Sequence, residues 1–283
     1  MTFDEWRRTG RRFSYRRHTI FFQRGGSGSA APLLLVHGFP TASWDWHRVW
    51  DELCARHSIV IAPDMTGFGW SDKPKGYAYS IHDQADMHEA LLRDQRIDVC
   101  HVLAHDYGDT VTQELLARGT KLLSVTFLNG GLFPETHRPR LIQRVLASPL
   151  GFVVARLTNE RSFRRSFSAI FGEGTKPTRE ELHEMWQLIE HDDGPAIFPK
   201  LIGYMEERRR FRERWVGALE EARVPIRVID GAADPVSGAH MVARYKELVP
   251  NVDAVLLPNI GHYPQLEAPR AVLEAMQQPE PRR

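Results

Sequence analysis

The sequence VCHVLAHDYGDTVTQELLARG (99–119) joins an apolar run to a helical pattern through one short polar turn. The apolar run ends at Ala104, and Asp106 follows it with Gly108 two residues later. The spacing small-x-acid-x-glycine is typical of a strand-to-helix turn that exposes a nucleophile, with aspartate in the place that serine usually takes. The alternative is a simple helix cap, because aspartate is also common at helix N-termini.

Apolar runs of the same kind recur along the chain, mostly with helical segments between them. The segment 44–57 has its apolar residues at helical spacing, and 13–28 is typical of edge strands and a turn. Continuous apolar strands separated by helices predict an α/β fold with a mostly parallel central sheet flanked by helices. The further strands are expected in PLLLVHG (32–38), SIVIAPD (58–64), LLSVTFLNG (122–130), IRVIDGAAD (226–234) and DAVLLPNIGH (253–262).

The alternation of strands and helices is interrupted between Pro134 and Gly217, where the pattern is charged, aromatic and helical. We expect a helical cap over 134–217, inserted into a core domain made of 1–133 and 218–283. Such a cap is expected above the carboxyl ends of the strands, where open parallel sheets bind ligands. The charged run EERRRFRER (206–214) is interpreted as a solvated helix face, because the rest of the chain offers no supporting basic surface for nucleic acid.

Charge and composition argue against several classes of partner. Lys and Arg total 37 against 36 Asp and Glu, and this net charge of +1 gives no reason to expect nucleic acid or an anionic membrane. No segment reaches the roughly 18 apolar residues of a membrane span, and two cysteines, Cys54 and Cys100, are too few to indicate an oxidising compartment. We expect a cytoplasmic protein. No Cys/His ligand cluster or glycine-rich phosphate loop occurs, so no metal and no cofactor are expected.

Two later segments place further chemical groups at strand ends. DGAADPVSG puts Asp234 after one predicted strand, and PNIGHYPQLEAP puts His262 after the next. Nucleophile, acid and histidine therefore follow one another in the order that serine-type hydrolases of this architecture use. Upstream, LLLVHGFP places His37 and Phe39 in a loop that could supply a backbone N–H to an oxyanion. Four separate segments thus predict one site.

The motifs HGFPTASWDW (37–46), HDYGDTV (105–111), WVGAL (215–219) and GHYPQLEAP (261–269) carry a family resemblance. The chain resembles the epoxide hydrolase and haloalkane dehalogenase group of α/β-hydrolase fold enzymes, from about residue 13 to residue 277. The resemblance implies one role for each site residue: Asp106 as nucleophile, His262 as base, Asp234 as its orienting acid, and the N–H groups of Phe39 and Tyr107 as the oxyanion hole.

The resemblance also implies a covalent alkyl ester on Asp106, which water cleaves, and a small apolar organic substrate. Tyr107 and Phe39 stand where dehalogenases of this group hold the halide, so an epoxide is the expected substrate. Its opening needs an acid, for which Tyr204 is the cap candidate and helix packing the alternative. His37 and Trp186 are candidate pocket residues. Two other hypotheses remain: the same residues could act on a halide or ester substrate, or the chain could be a binding protein with little turnover. The sequence leaves open whether the chain forms a homodimer.

Overall fold

The predicted strands all belong to one eight-stranded sheet. The computed structural model describes residues 1–249 and 252–276. The strand order is β1-β2-β4-β3-β5-β6-β7-β8, with antiparallel pairing at β1 and β2 and parallel pairing from β4 to β8. The strands are β1 Arg11–Tyr15, β2 His18–Gly25, β3 Leu33–Val36, β4 Val60–Pro63, β5 Cys100–His105, β6 Leu122–Leu128, β7 Ile226–Gly231 and β8 Asp253–Leu257. The prediction of a mostly parallel sheet is confirmed.

Continuous apolar strands arise here because both faces of the sheet are covered. Leu34 and Val36 of β3 point into one apolar cluster, whereas Leu33 and Leu35 point into a second cluster on the other face. Alternate residues of a strand face opposite sides, so a strand buried on both faces has no polar alternation.

Helices fill the connections between the strands. In α3, for example, the N-terminus is capped by Ser80, whose Oγ accepts the N–H of Asp83 at 3.1 Å. Among residues 1–249 and 252–276, no helix is long and apolar enough to cross a membrane. The α-helices are α1 Phe3–Thr9, α2 His47–Arg56, α3 Ile81–Asp94, α4 Tyr107–Ala117, α5 Leu141–Leu146, α6 Gly151–Leu157, α7 Glu160–Ser168, α8 Arg179–Glu190, α9 Phe198–Leu201, α10 Tyr204–Arg210, α11 Arg212–Glu220, α12 Ala239–Leu248, α13 Pro264–Glu267 and α14 Pro269–Ala275, and 3₁₀ helices span Ser43–Trp46 and His191–Ile197.

The segment between β6 and β7 contains α5 to α11 and no strand among its described residues. Its last helix does not end at residue 217, where the sequence pattern placed the boundary, but continues to Glu220. The helix α11 packs against α4 of the core, and the Trp215 indole N–H donates to Glu114 Oε2 at 2.8 Å. Arg214 contacts the same carboxylate at 2.8 Å. Glu114 therefore ties the end of the inserted segment to the core helix.

Candidate active site

The turn at Asp106 joins β5 to α4 in a backbone conformation that side chains rarely adopt. Its φ of 48° and ψ of −105° lie outside the favoured regions, and such positions cost on the order of 1–3 kcal/mol. Small neighbours make the turn possible. A Cβ added at Gly108 would lie 2.3 Å from the Val36 carbonyl oxygen, and one added at Gly38 would lie 3.0 Å from the Asp106 Cβ. The absence of a Cβ at Gly108 and Gly38 therefore lets the neighbouring backbone approach the turn at Asp106 closely.

The Asp106 carboxylate is buried but charged. Its Oδ2 accepts the backbone N–H of Phe39 at 3.2 Å, and Arg208 Nη2 lies 3.7 Å from Oδ1. Burial alone would raise the pKa of this carboxyl. The positive charges of His262 and Arg208 outweigh burial and hold the pKa below its usual range. Asp106 is therefore an anion at neutral pH, which is the form that a nucleophile requires.

His262 is oriented by Asp234, which follows the neighbouring parallel strand. His262 Nδ1 lies 2.8 Å from Asp234 Oδ2, and because a carboxylate only accepts, Nδ1 carries the proton and leaves Nε2 for a ligand. Burial works against protonation of His262, but the charges of Asp234 and Asp106 raise its pKa to about 9. Asp234 is itself held by four groups from three residues, the N–H of Val236, the N–H and Oγ of Ser237, and Nδ2 of Asn129.

His105 connects the turn at Asp106 with the loop that carries His262. Its Nε2 lies 2.8 Å from the His262 carbonyl oxygen, and since a carbonyl only accepts, this nitrogen is the donor. Burial lowers the pKa of His105 to about 4, so the ring is neutral at physiological pH. His105 therefore stabilises the loop and adds no charge beside the Asp106 carboxylate.

Asp106 and His262 both line one cavity of about 360 Å³. A cavity of this size suits a small organic molecule. Its wall is contributed by the loop after β3 and by helices of the inserted segment. Most of the side chains in that wall are apolar, among them Phe39, Leu146, Phe163, Phe167, Ile170, Phe198 and Val236.

Two predicted pocket residues are not part of this wall. His37 is fully buried, with Nδ1 bonded to the Gly38 carbonyl at 2.8 Å and Nε2 accepting the Met65 N–H at 3.0 Å. Both ring nitrogens are therefore used to hold the backbone. Trp186 packs against Phe163, with ring centres 5.8 Å apart, and lies behind the wall to which Phe163 contributes. The structure places both residues in packing positions.

The remaining predicted residues lie beside the cavity. Tyr107 begins α4, directly after Asp106, and its buried ring lies 5.1 Å from that of Tyr204. Burial and the negative charge of Asp106 raise the pKa of Tyr204. Tyr204 does not itself line the cavity, and its buried hydroxyl has no hydrogen-bond partner among the described residues. The hydroxyl is thus close to the site and shielded from the cavity.

The interpretation of 206–214 as a solvated helix face is wrong for Arg208. This side chain is 3% exposed, its Nε donates to Thr110 Oγ1 at 2.6 Å and its guanidinium lies 4.5 Å from the Tyr204 ring centre. The signal that could have found it is the spacing of four residues from Tyr204, which places both on one side of α10. The charged composition of the run concealed this burial, because most of the other charged residues in it are exposed.

No group of three His, Cys, Asp or Glu side chains in the described part of the chain could hold a metal ion. The polar groups around Asp106 are its carboxylate, the imidazole of His262 bonded to a second carboxylate, and the backbone N–H of Phe39. This set can perform nucleophilic attack and proton transfer.

The sequence matches the alpha/beta hydrolase family over residues 33–275, and the chain belongs to that family. It is 41% identical to the mesoderm-specific transcript protein of Mus musculus, across 95% of this chain and 85% of that protein. It is 38% identical to the LipZ protein of Mycobacterium tuberculosis strain H37Rv, across 96% and 95%. The solved structure of the epoxide hydrolase CorEH has a TM-score of 0.77 at 20% identity, covering 95% of this chain and 96% of that one. The predicted α/β-hydrolase fold and family resemblance are confirmed, and the protein is a hydrolase of this family.

Proposed function

We propose that this protein is a cofactor-independent hydrolase in which Asp106 attacks a carbon atom of a small apolar substrate, with an epoxide as the favoured class. The observation that carries the proposal is the pairing in one apolar cavity of an anionic Asp106 with a His262 held by Asp234. Helices α5 to α10 would act as the cap that shields this cavity. A serine-type enzyme would have a neutral hydroxyl at the turn instead.

In the first half-reaction the free Oδ1 of Asp106 attacks an epoxide carbon. The carbon–oxygen bond of the ring breaks, and an ester joins the substrate to Asp106. The oxygen that leaves takes a proton from an acid, for which Tyr204 of the inserted segment is the candidate. The Phe39 N–H keeps Oδ2 in place during the attack.

The second half-reaction is hydrolysis of that ester. Once Asp106 is esterified its negative charge is gone, and one of the causes that raise the pKa of His262 disappears. The imidazole then loses its proton more readily and can take a proton from water, which attacks the ester carbonyl. The N–H groups of Phe39 and Tyr107 would stabilise the oxyanion that forms on Asp106. The ester bond then breaks, the leaving alkoxide takes the proton from His262, and the remaining proton of the water restores the acid, so that Asp106 is regenerated and a diol is released.

A second candidate is an ester or halide substrate that uses the same three side chains. The observation in its favour is that Tyr204 does not line the cavity. An ester or halide substrate does not need a tyrosine as the acid that protonates its leaving group. A binding protein without turnover is less well supported, because the 2.8 Å contact between His262 and Asp234 orients the imidazole as a catalytic base.

The test is a single turnover in ¹⁸O-water with enzyme in excess, on a substrate first identified among epoxides, haloalkanes and aryl esters. We expect the label in the Asp106 peptide and an unlabelled product oxygen, because that oxygen comes from the carboxylate. Label in the first product and none in Asp106 would exclude the covalent mechanism.

A further inference from the structure

Helix α6 exposes its large apolar residues and buries its small ones. Gly151 and Ala155 are buried, whereas Phe152, Val153 and Leu157 are exposed. A surface helix normally turns its large apolar residues toward the core. Here a Cβ at Gly151 would lie 2.1 Å from the Leu146 carbonyl oxygen, so the small residue allows α6 to pack closely. The large side chains are left for solvent or for a partner.

This exposed surface continues onto α5 and the loop between the two helices. Leu141 is 77% and Leu157 70% exposed. Six of the ten large hydrophobic residues that are exposed in the described part of the chain lie within these 17 positions from 141 to 157. Clustering on this scale marks an interaction site, since single exposed apolar residues are ordinarily scattered. We name this cluster the apolar face, made of Leu141, Ile142, Leu150, Phe152, Val153 and Leu157.

Arginines are concentrated in the segment that carries the apolar face. Residues 138–165 contain seven arginines and one acidic residue, Glu160, so this segment carries +6 of charge in a chain whose net charge is +1. In the described structure their one ion pair joins Arg164 to Glu160 at 3.5 Å. Elsewhere buried carboxylates such as Glu114 neutralise their arginines. We name these residues the arginine rim: Arg138, Arg140, Arg144, Arg156, Arg161, Arg164 and Arg165.

The apolar face meets the mouth of the cavity that contains Asp106. Leu141 and Ile142 of the face, and Arg140 of the rim, are exposed and at the same time line that cavity. Most side chains of the cavity wall, which also contains Asp106 and His262, are apolar. A surface that covers the apolar face would therefore also cover the entrance to the cavity.

We propose that the apolar face and the arginine rim dock onto an anionic phospholipid surface, with the cavity mouth toward the lipid. The apolar side chains match the acyl boundary of such a surface, and the arginines of the same segment match its negative headgroups. A second copy of the chain fits less well, because a two-fold interface places the same patch on both sides and would oppose two arginine rims. The net charge of +1 for the whole chain gave no reason to expect an anionic membrane. The local charge of this segment does give one.

The test is flotation of the purified protein with vesicles of phosphatidylcholine alone and of phosphatidylcholine with phosphatidylglycerol. We expect binding to the anionic vesicles, weakened by salt, and little binding to the neutral ones. Two double variants, Phe152→Asp with Leu157→Asp and Arg156→Glu with Arg161→Glu, should each bind at least about tenfold more weakly. None of these four residues lines the cavity, so turnover of a soluble substrate should be unchanged.

The matched control is Arg7→Glu with Arg8→Glu on α1, at two exposed positions away from the rim. It changes the charge of the chain as much as Arg156→Glu with Arg161→Glu does. It should bind anionic vesicles as the wild type does.

Equal loss in this control, or no vesicle binding by the folded wild type, would overturn the proposal. So would a concentration-dependent dimer that the Phe152 and Leu157 changes dissociate in the absence of vesicle binding. The single change Leu150→Asp repeats the test if the double variant does not fold. Vesicle binding requires no turnover, so its outcome is independent of the proposed reaction.

Discussion

Arg208 on the inserted helix α10 contacts Asp106 at two points. Its Nη2 donates to the Asp106 carbonyl at 3.0 Å and lies 3.7 Å from Oδ1 of the carboxylate. The helix is thereby tied to the strained turn after β5, and a positive charge is held beside the buried carboxylate. An unpaired charge at this depth would be costly, so each of these two residues needs the other.

Replacing Arg208 should change the pH dependence of the first half-reaction. Arg208→Gln removes a charge that lowers the pKa of Asp106, so the acid limb of kcat/KM should move to higher pH. Arg208→Lys should restore part of the shift, because it keeps the charge. The neighbouring Arg209→Gln serves as control, since Arg209 is exposed and pairs with Glu206. An unchanged acid limb in folded Arg208→Gln would show that Arg208 is structural.

Removing the carboxylate should abolish turnover and preserve the fold. Asp106→Asn keeps the shape of the side chain but weakens its nucleophilicity, and we expect at least about a thousandfold loss of kcat. Asp109→Asn is the matched control. Burial raises the pKa of Asp109 well above its usual value, so Asn resembles the neutral form that burial favours, and the rate should stay within about tenfold of wild type. Near-native turnover by Asp106→Asn would refute the nucleophile assignment.

The parallel strands and the order of the site segments follow directly from the sequence. Leu33 to Val36 can be continuously apolar only where helices cover both faces of a sheet, and this predicts the layers. Asp234 and His262 follow neighbouring parallel strands, whose carboxyl ends lie at one edge of the sheet. Their 2.8 Å contact is therefore an expected result of chain order.

Burial of charged and polar side chains does not follow from local pattern. Arg208 is buried because Asp106, about a hundred positions away, faces it, and no local signal shows that partner. Asp109 lies in the first turn of α4, where acidic side chains are common, yet it is fully buried, and burial together with the charge of Asp230 raises its pKa. His37 and Trp186 were placed in the pocket on position alone, and packing decided otherwise. These outcomes depend on tertiary contacts.

Substitution of Tyr204 distinguishes the two candidate substrate classes. If its hydroxyl is the acid, Tyr204→Phe should slow epoxide opening by about 10- to 1000-fold and leave ester hydrolysis nearly unchanged. The measurement is kcat on one epoxide and one ester under identical conditions. The ring keeps its contact with Tyr107 in this variant, so the thermal unfolding midpoint should change little. Equal losses on both substrates would assign Tyr204 to packing.

Replacing His262 should separate the two half-reactions. Attack by Asp106 needs no base, whereas hydrolysis of the ester does, so His262→Gln should accumulate the covalent adduct. Mass spectrometry of the Asp106 peptide should show an increase equal to the mass of the substrate. His101→Gln on β5 is a control, because that half-buried histidine bonds Ser124 and does not line the cavity. The absence of an adduct on a substrate that the wild type hydrolyses would contradict a covalent intermediate.

The contact between Asp234 and His262 should also set the pH dependence of stability. The pKa of His262 is raised to about 9, so its contribution is fully present below the unfolded value of 6.5 and is lost as pH rises through 9. The pKa of Asp234 is lowered, so the same contact is lost as pH falls below the unfolded value of 3.8. Asp234→Asn should therefore destabilise the protein by about 3–5 kcal/mol between these limits, because it leaves a buried partner unpaired.

Urea unfolding of wild type and Asp234→Asn at acid, neutral and alkaline pH measures this difference. We expect the largest difference in the free energy of unfolding between pH 4 and 6.5, and a smaller one above pH 9, where His262 is neutral in both proteins.

Asp234→Asn should also lower the pKa of His262, because the largest favourable charge beside the imidazole is gone. The limb of kcat that rises as His262 becomes neutral should then move to lower pH, and its plateau should fall because the ring is no longer oriented. A stability gap that is constant across this range would mean that Asp234 acts through its bonds to the N–H groups of Val236 and Ser237 and not through the charge on His262.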